Sequence, residues 1–236
     1  MPKIIFDIET AGEDFENIDK KTQEMMTWWI KRESKNDKEY QANLQNLREE
    51  LGFSPLTGEI VSIGMLDYDT KKGAVYFQAP EKDVNEFEED GIKYKPMDEK
   101  DIIKNFWSIA EHASEFISFN GRAFDVPFIL VRGAIHKIKP PKDLMSNRYL
   151  GSQKYGAKHI DLLDQLTFYG SVRKKGSLHM WTRVFKIKSP KEDGVDGSEI
   201  AGLFKEKEYA KIAKYNARDL FATRDLFEYW NNYLRF

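Results

Sequence analysis

The chain contains no cysteine. That excludes a disulfide framework, a thiolate metal centre and a cysteine nucleophile, and it fits a reducing compartment. No apolar run approaches the ~18 residues needed to span a membrane. The N-terminus, MPKIIFDIET, lacks the basic start and long apolar stretch of a secretory leader. Internal repeats and low-complexity tracts are missing as well. A soluble protein of the cytoplasm is the expectation. With 236 residues, 41% of them hydrophobic, the chain can bury a substantial core, and residues 1–236 are expected to form one domain.

The net charge is also small, −2, but it conceals an asymmetry. Residues 132–191 carry 14 Lys and Arg against three acids, a local +11, whereas residues 1–131 carry 16 against 27, a local −11. A basic middle in an otherwise acidic chain suggests a polyanion on one face; the alternative is a solvated charged surface.

Hydrophobic periodicity orders the elements. A strand runs from about Lys3 to Ile8. Residues 13–58 follow as a two-helix insertion. Its first helix has Met25, Trp28, Trp29 and Arg32 at helical spacing; its second has Tyr40, Leu44, Leu47 and Leu51 on one face before Gly52 stops it. MMTWW is expected to pack as core; exposed, it would be an interaction patch. GEIVSIGMLDYD and GAVYFQAP are the second and third strands. DEKDIIKNFWSIAEHA is an amphipathic helix and EFISFNG a buried strand. FDVPFILVRGAIHK is a helix that tolerates Pro127 in its first turn, and KHIDLLDQL is a strand running into a helix that Asp161 caps. Residues 185–202, with Pro190, Gly194, Gly197 and Gly202, are expected to be loop. KEKEYAKIAKYNARDLFATRDLFEYWNNYL closes the chain as one or two helices. Strands first, then alternating helices and strands, predict an α/β fold with a mixed sheet.

Three short patterns carry chemistry. In the first strand, residues two apart share a face, so Asp7 and Glu9 point the same way and repel each other at the strand end. A divalent cation such as Mg²⁺ would offset that repulsion; solvated edge acids or a helix cap are the alternative. In SFNGRAFD, a buried strand ends at Asn120-Gly121 and Asp125 lies where a helix begins, a common place for a capping acid. In KYNARDLF, Tyr215 and Asp219 are four apart on one helix face. Ile212 and Ala222 or Thr223 share that face, so it packs inward, and a buried Asp needs a cation or a hydrogen-bonded partner.

In chain order these residues read D-x-E, N-G-x-x-F-D and Y-x-x-x-D. The set resembles the DEDD exonuclease superfamily in its version with Tyr in the third motif (DEDDy). Within it, the chain is similar to the proofreading exonuclease domain of family-B DNA polymerases and its stand-alone relatives. The resemblance spans Ile5 to about Tyr229. It implies a ribonuclease H-like fold, a central mixed sheet flanked by helices, with the helical insertion after the first strand as a departure from the compact pattern. It further implies two-metal-ion hydrolysis that removes nucleoside 5′-monophosphates from the 3′ end of single-stranded DNA. Asp7, Glu9, Asp125 and Asp219 would hold two Mg²⁺ or Mn²⁺ ions, ~3.5–4 Å apart in such sites. Glu9 would also accept a hydrogen bond from the terminal 3′-OH. Tyr215, whose ordinary pKa of ~10 makes it a poor base, would orient the attacking water.

Substrate contacts are expected from Thr10, through its backbone amide; from Asn120, which fixes the turn or meets a sugar; and from Phe124, as a stacking surface for the terminal base or as core. The basic stretch, from Lys137, Lys139, Lys142, Arg148, Lys154 and Lys158 to Arg173, Lys174, Lys175, Arg183, Lys186 and Lys188, is expected to flank the cleft. Tyr149, Tyr155, Phe168 and Trp181 lie among these cations, as in a single-strand track. The insertion is a possible docking site for a protein partner. No membrane association is expected. Other readings are a phosphatase of the haloacid dehalogenase type, which would need D-x-D where Glu9 is one methylene too long; an exoribonuclease or oligonucleotidase with the same residues; and a catalytically silent nucleic-acid-binding module. His159 is not expected to bind metal.

Overall fold

The computed structural model describes residues 2–189 and 197–235. Along the chain come β1 (Lys3–Gly12), α1 (Lys20–Glu33), α2 (Asp37–Glu50), β2 (Gly58–Asp67), β3 (Gly73–Phe77), β4 (Phe87–Glu89), β5 (Ile92–Pro96), α3 (Glu99–Glu111), β6 (Glu115–Ser118), α4 (Asp125–Ile135), β7 (Lys158–Asp161), α5 (Leu162–Leu166), α6 (Leu178–Val184), α7 (Ile200–Lys205) and α8 (Tyr209–Tyr233). Among the described residues the strands form a seven-stranded mixed sheet in the order β4-β5-β3-β2-β1-β6-β7. β1 runs antiparallel to β2 and parallel to β6, which runs parallel to β7. The C-terminal ends of β1, β6 and β7 therefore share one edge of the sheet, the edge that carries Asp7 and Glu9.

Alternation along β1 explains the layers. Ile4, Phe6 and Ile8 point to one face and pack with Ile102, Ile103 and Phe106 of α3 and Val126, Phe128 and Ile129 of α4. Ile5 points to the other face, among Ala213, Leu220 and Phe227 of α8. Burying each such side chain is worth about 1.5–3 kcal/mol, so β1 is clamped from both sides. No helix among the described residues is long and apolar enough to cross a membrane.

The two-helix insertion is present, with Asp19 and Asn36 capping its helices through the Thr22 and Glu39 amides. It has an apolar cluster of its own, in which Met26, Leu44 and Leu47 pack on Phe15, Ile18 and Leu51. The expectation that MMTWW is core is corrected: Met25 is 71% exposed, Trp28 60% and Trp29 42%. α1 buries Thr27 and Ile30, which turns the opposite face outward, and Trp28 is covered there by the Arg32 guanidinium, 5.3 Å from its ring.

Further differences concern short elements. β4 and β5 form a hairpin around Asp90-Gly91, both at positive φ (51° and 79°), a turn signal that the charged flanking residues obscure. Within the expected 185–202 loop, Ile200–Lys205 is helical, while Pro190 and Gly194 lie outside the described residues. The closing segment is one helix of 25 residues.

One polar network supports the end of β1. The β1–β2 register shifts between Glu9 and Thr10, which pair with Ser62 and Ile60; the skipped residue, Val61, makes a bulge. The Ile60 amide donates to Glu99 Oε1 (2.8 Å), and Glu99 also takes a bidentate pair from Arg132 (2.8 and 2.7 Å) and a bond from His136 Nε2 (2.6 Å). Burial pushes Glu99 up, but these bonds outweigh it and leave the carboxyl below its ordinary range. Arg132→Met strands a buried carboxylate and is expected to cost about 3 kcal/mol in urea denaturation. Lys104→Met, at the exposed Asp101–Lys104 pair, should leave the urea midpoint nearly unchanged. Equal effects would show that the network carries no special weight.

Candidate active site

β1 and α8 converge on one point. One carboxylate oxygen each of Asp7, Glu9 and Asp219 lies within 4.8 Å of the others. Glu9 and Asp219 are buried and Asp7 is partly so. α8 places its residues by helical periodicity: Ile212, Tyr215, Asn216, Asp219 and Thr223 are all buried against the sheet. Tyr215 lies one turn before Asp219 on the same buried helix face, and the Asp219 charge acts on its hydroxyl.

Asn216 belongs to the site although sequence reasoning passed over it. Its Nδ2 donates to Asp7 Oδ2 (2.7 Å), and its Oδ1 accepts from Ser62 Oγ (3.3 Å), which fixes the orientation of the amide. Across from it lies Gly64 of β2, where a Cβ would collide with Asn216 Oδ1 and the Leu220 side chain. The signal in the sequence was a glycine inside a buried strand combined with an asparagine between Tyr215 and Asp219.

Asp125 begins α4 as expected, but its carboxylate turns first to the backbone. β6 pairs with β1 only as far as Ile5; beyond that, Asp125 Oδ1 accepts from the Ile8 amide (3.1 Å). It thus satisfies a strand donor that no neighbouring strand reaches, while its charge still acts on Asp7 and Glu9. The turn before it is held from β7: Asp161 accepts from the amides of Asn120 (2.9 Å), Arg122 (3.0 Å) and Leu163 (3.0 Å), the last being the expected helix cap. Asn120 has φ 64° and serves the turn. Phe124 is half-buried against Phe128 and faces Phe53. Thr10 donates its hydroxyl to the Gly52 carbonyl (2.7 Å).

His159 is buried, with Nε2 2.8 Å from Ser118 Oγ, and burial holds its pKa down to about 3; it is a neutral core residue. The expectation that the whole basic stretch flanks the cleft is corrected. Lys158 pairs with Glu115, which pairs with Lys3, at the opposite end of the sheet from Asp7. Lys142 is tied to the Ala113 and Gly156 carbonyls and Arg148 to Asp164.

The electrostatics of the carboxylates follow from their surroundings. Removal from water raises Asp7 and Glu9 well above the ordinary range, and repulsion from Asp125 and Asp219 adds to it; the Asn216 amide opposes it. Burial is also the main cause that pushes Asp125 up to about 7. Burial and then the charges of Asp219, Glu9 and Asp7 drive the Tyr215 hydroxyl far above its usual value. An all-oxygen, acid-only donor set that resists ionisation fits a hard divalent cation.

Residues 60–235 match a family described as a predicted 3′-5′ exonuclease related to the exonuclease domain of PolB. The chain belongs to this family. The exonuclease-family chain also shares its fold with the family B DNA polymerase of the hyperthermophilic archaeon Pyrobaculum calidifontis, at a TM-score of 0.60 and 14% identity over 98% of this chain and 24% of the polymerase. It thus spans about a quarter of that polymerase's length and has the ribonuclease H-like α/β fold of a PolB exonuclease domain. No curated protein matches the chain.

Raised carboxylates in this exonuclease-family fold have a consequence for stability. The folded chain keeps protons that the unfolded chain has released, so their stabilising contribution is full below the unfolded carboxylate pKa of ~4 and is lost as pH rises through about 7, the Asp125 value. In chelator, the melting temperature is therefore expected to fall between pH 5 and 8. Saturating Mg²⁺ or Mn²⁺ should restore roughly 5 °C at pH 8 and little at pH 5. Asp7→Asn should flatten both responses in calorimetry; an unaltered metal response in that variant would mean that the ion binds elsewhere.

Proposed function

We propose that this chain is a metal-dependent 3′→5′ exonuclease that removes nucleoside 5′-monophosphates from single-stranded DNA. The observation that carries the proposal is the meeting of Asp7, Glu9 and Asp219, from opposite ends of the chain, within 4.8 Å. Asp7, Glu9, Asp219 and Asp125 would hold two Mg²⁺ or Mn²⁺ ions. Bound there, such ions stabilise charge on the phosphate oxygens and make water more acidic.

The chain's own groups then divide the remaining work. Tyr215 stays protonated at neutral pH because the surrounding carboxylates and burial raise its pKa. A protonated hydroxyl can still donate a hydrogen bond to the attacking water or accept one from it. It orients that water and does not deprotonate it. Glu9, on the same strand face as Asp7, accepts a hydrogen bond from the terminal 3′-OH, which sets the direction of degradation. Asn216 keeps the Asp7 carboxylate in one rotamer. A site built of carboxylates selects no base, so the reaction is expected to be tolerant of sequence.

The test uses purified protein, Mg²⁺ or Mn²⁺, and single strands of DNA and RNA labelled at either end. Stepwise loss of nucleotides from the 3′ end of DNA is expected, and Asp7→Ala or Asp219→Ala should lower kcat by at least ~10³-fold. Tyr215→Phe should lower kcat on the order of 10²-fold with little change in KM. No release, or release indifferent to Asp7→Ala, refutes the enzyme; faster RNA cleavage reassigns the substrate. Asn216→Ala is expected to weaken Mn²⁺ binding by about 10–100-fold in titration calorimetry. Unaltered binding would remove Asn216 from the site.

A further inference from the structure

The insertion brings an aromatic ring to the carboxylate edge. Phe53 ends a 3-10 turn, Leu51–Phe53, that follows α2. Leu51 is buried in the insertion's apolar cluster at 3% exposure, whereas Phe53 is 60% exposed. The turn is held to the strand end by several bonds. Thr10 Oγ1 donates to the Gly52 carbonyl at 2.7 Å, Thr57 Oγ1 to the Leu51 carbonyl at 2.8 Å, and the Glu13 amide to the Thr57 carbonyl at 2.9 Å. The backbones touch here: a Cβ on Gly52 would come within 3.0 Å of the Gly12 nitrogen. Phe53 is therefore an open ring on a rigid support. Its centroid lies 6.4 Å from that of Phe124, at 64°, and Phe124 rests in turn on Phe128 at 5.5 Å. Thr10, which anchors the turn, follows Glu9, and Phe124 precedes Asp125, so both rings are carried by segments that adjoin the carboxylate positions.

We infer that Phe53 and Phe124 form two walls of a slot for the base of the 3′-terminal nucleotide, with Phe53, contributed by the insertion, as the stacking face. This rests on the exonuclease reading above. A base lying on the open face of Phe53 meets Phe124 at its edge, the offset arrangement that aromatic quadrupoles favour. Neither ring offers a hydrogen bond, so the slot accepts any base. A base stacked there is turned away from a complementary strand, which makes the slot select ends that are unpaired.

The test is made on the full chain with a DNA decamer carrying 2-aminopurine at its 3′ end, and with the same decamer ending in an abasic residue. In Mg²⁺, Phe53→Ala is expected to raise KM roughly tenfold or more on the first substrate. On the abasic end it should change KM less than about twofold, and Phe53→Trp should restore the wild-type value. Equal KM in wild type and Phe53→Ala on the first decamer, or an equal rise on both, overturns the slot. A second arm in EDTA needs no hydrolysis: wild type should quench 2-aminopurine fluorescence on binding and Phe53→Ala should not. Absence of quenching in wild type also overturns the slot. Quenching without nucleotide release leaves the slot standing and sinks the exonuclease reading instead.

Discussion

Like charges held out of water cost free energy, and the whole edge of this sheet is organised around accepting that cost. Asp7, Glu9 and Asp219 lie within 4.8 Å of one another, and Asp125 adds its field from the start of α4. None of these positions would be populated if β1 and α8 were free to separate. What holds them is apolar: Ile4, Phe6 and Ile8 on one face and Ile5 on the other are buried in separate clusters that include α3, α4 and α8. Two cores meeting on one strand supply the stabilisation that the carboxylates subtract.

The polar contacts around the site do a different job, which is to fix direction. Asp125 accepts the Ile8 amide where β6 no longer reaches β1. Glu99 accepts the Ile60 amide where the β2 bulge breaks the ladder. Asn216 is set by Ser62 and sets Asp7. Each of these bonds satisfies a group that regular structure leaves over, and each lies next to a residue of the site. Bulge and bare strand edge are the geometric conditions for having carboxylates at the end of a central strand. The fold contributes side chains that make those conditions tolerable.

The parts of this arrangement with a period were legible in the sequence. Alternation placed Asp7 and Glu9 on one strand face, and the four-residue spacing of Tyr215 and Asp219 placed them on one helix face. The three motifs in order carried a family resemblance, and that resemblance implied the fold. What stayed hidden depends on a partner elsewhere in the chain. Asn216 matters because Gly64 leaves room for it and Ser62 faces it, and nothing local to α8 records that. Helical spacing groups Met25, Trp28 and Trp29 but does not say whether another element covers them. A charge count along 132–191 has no direction in space, so it could not reveal that Lys158 opens its strand at the far end of the sheet while Lys142 and Arg148 serve structural partners.

These observations bear on how a strand of nucleic acid is met. With Lys142, Arg148 and Lys158 committed elsewhere, groups that attract without positive charge gain weight next to the carboxylates. Aromatic faces do this, since stacking survives where phosphate attraction is cancelled by nearby acids. The insertion leaves β1 after Gly12, three residues beyond Glu9, and its return turn is bonded back to Thr10. Its position is therefore set by the same strand that carries Asp7 and Glu9. A ring placed on that turn keeps its register with the carboxylates whatever the outer helices of the insertion do, which makes Phe53 better suited to locating a strand terminus than the exposed tryptophans farther out on α1.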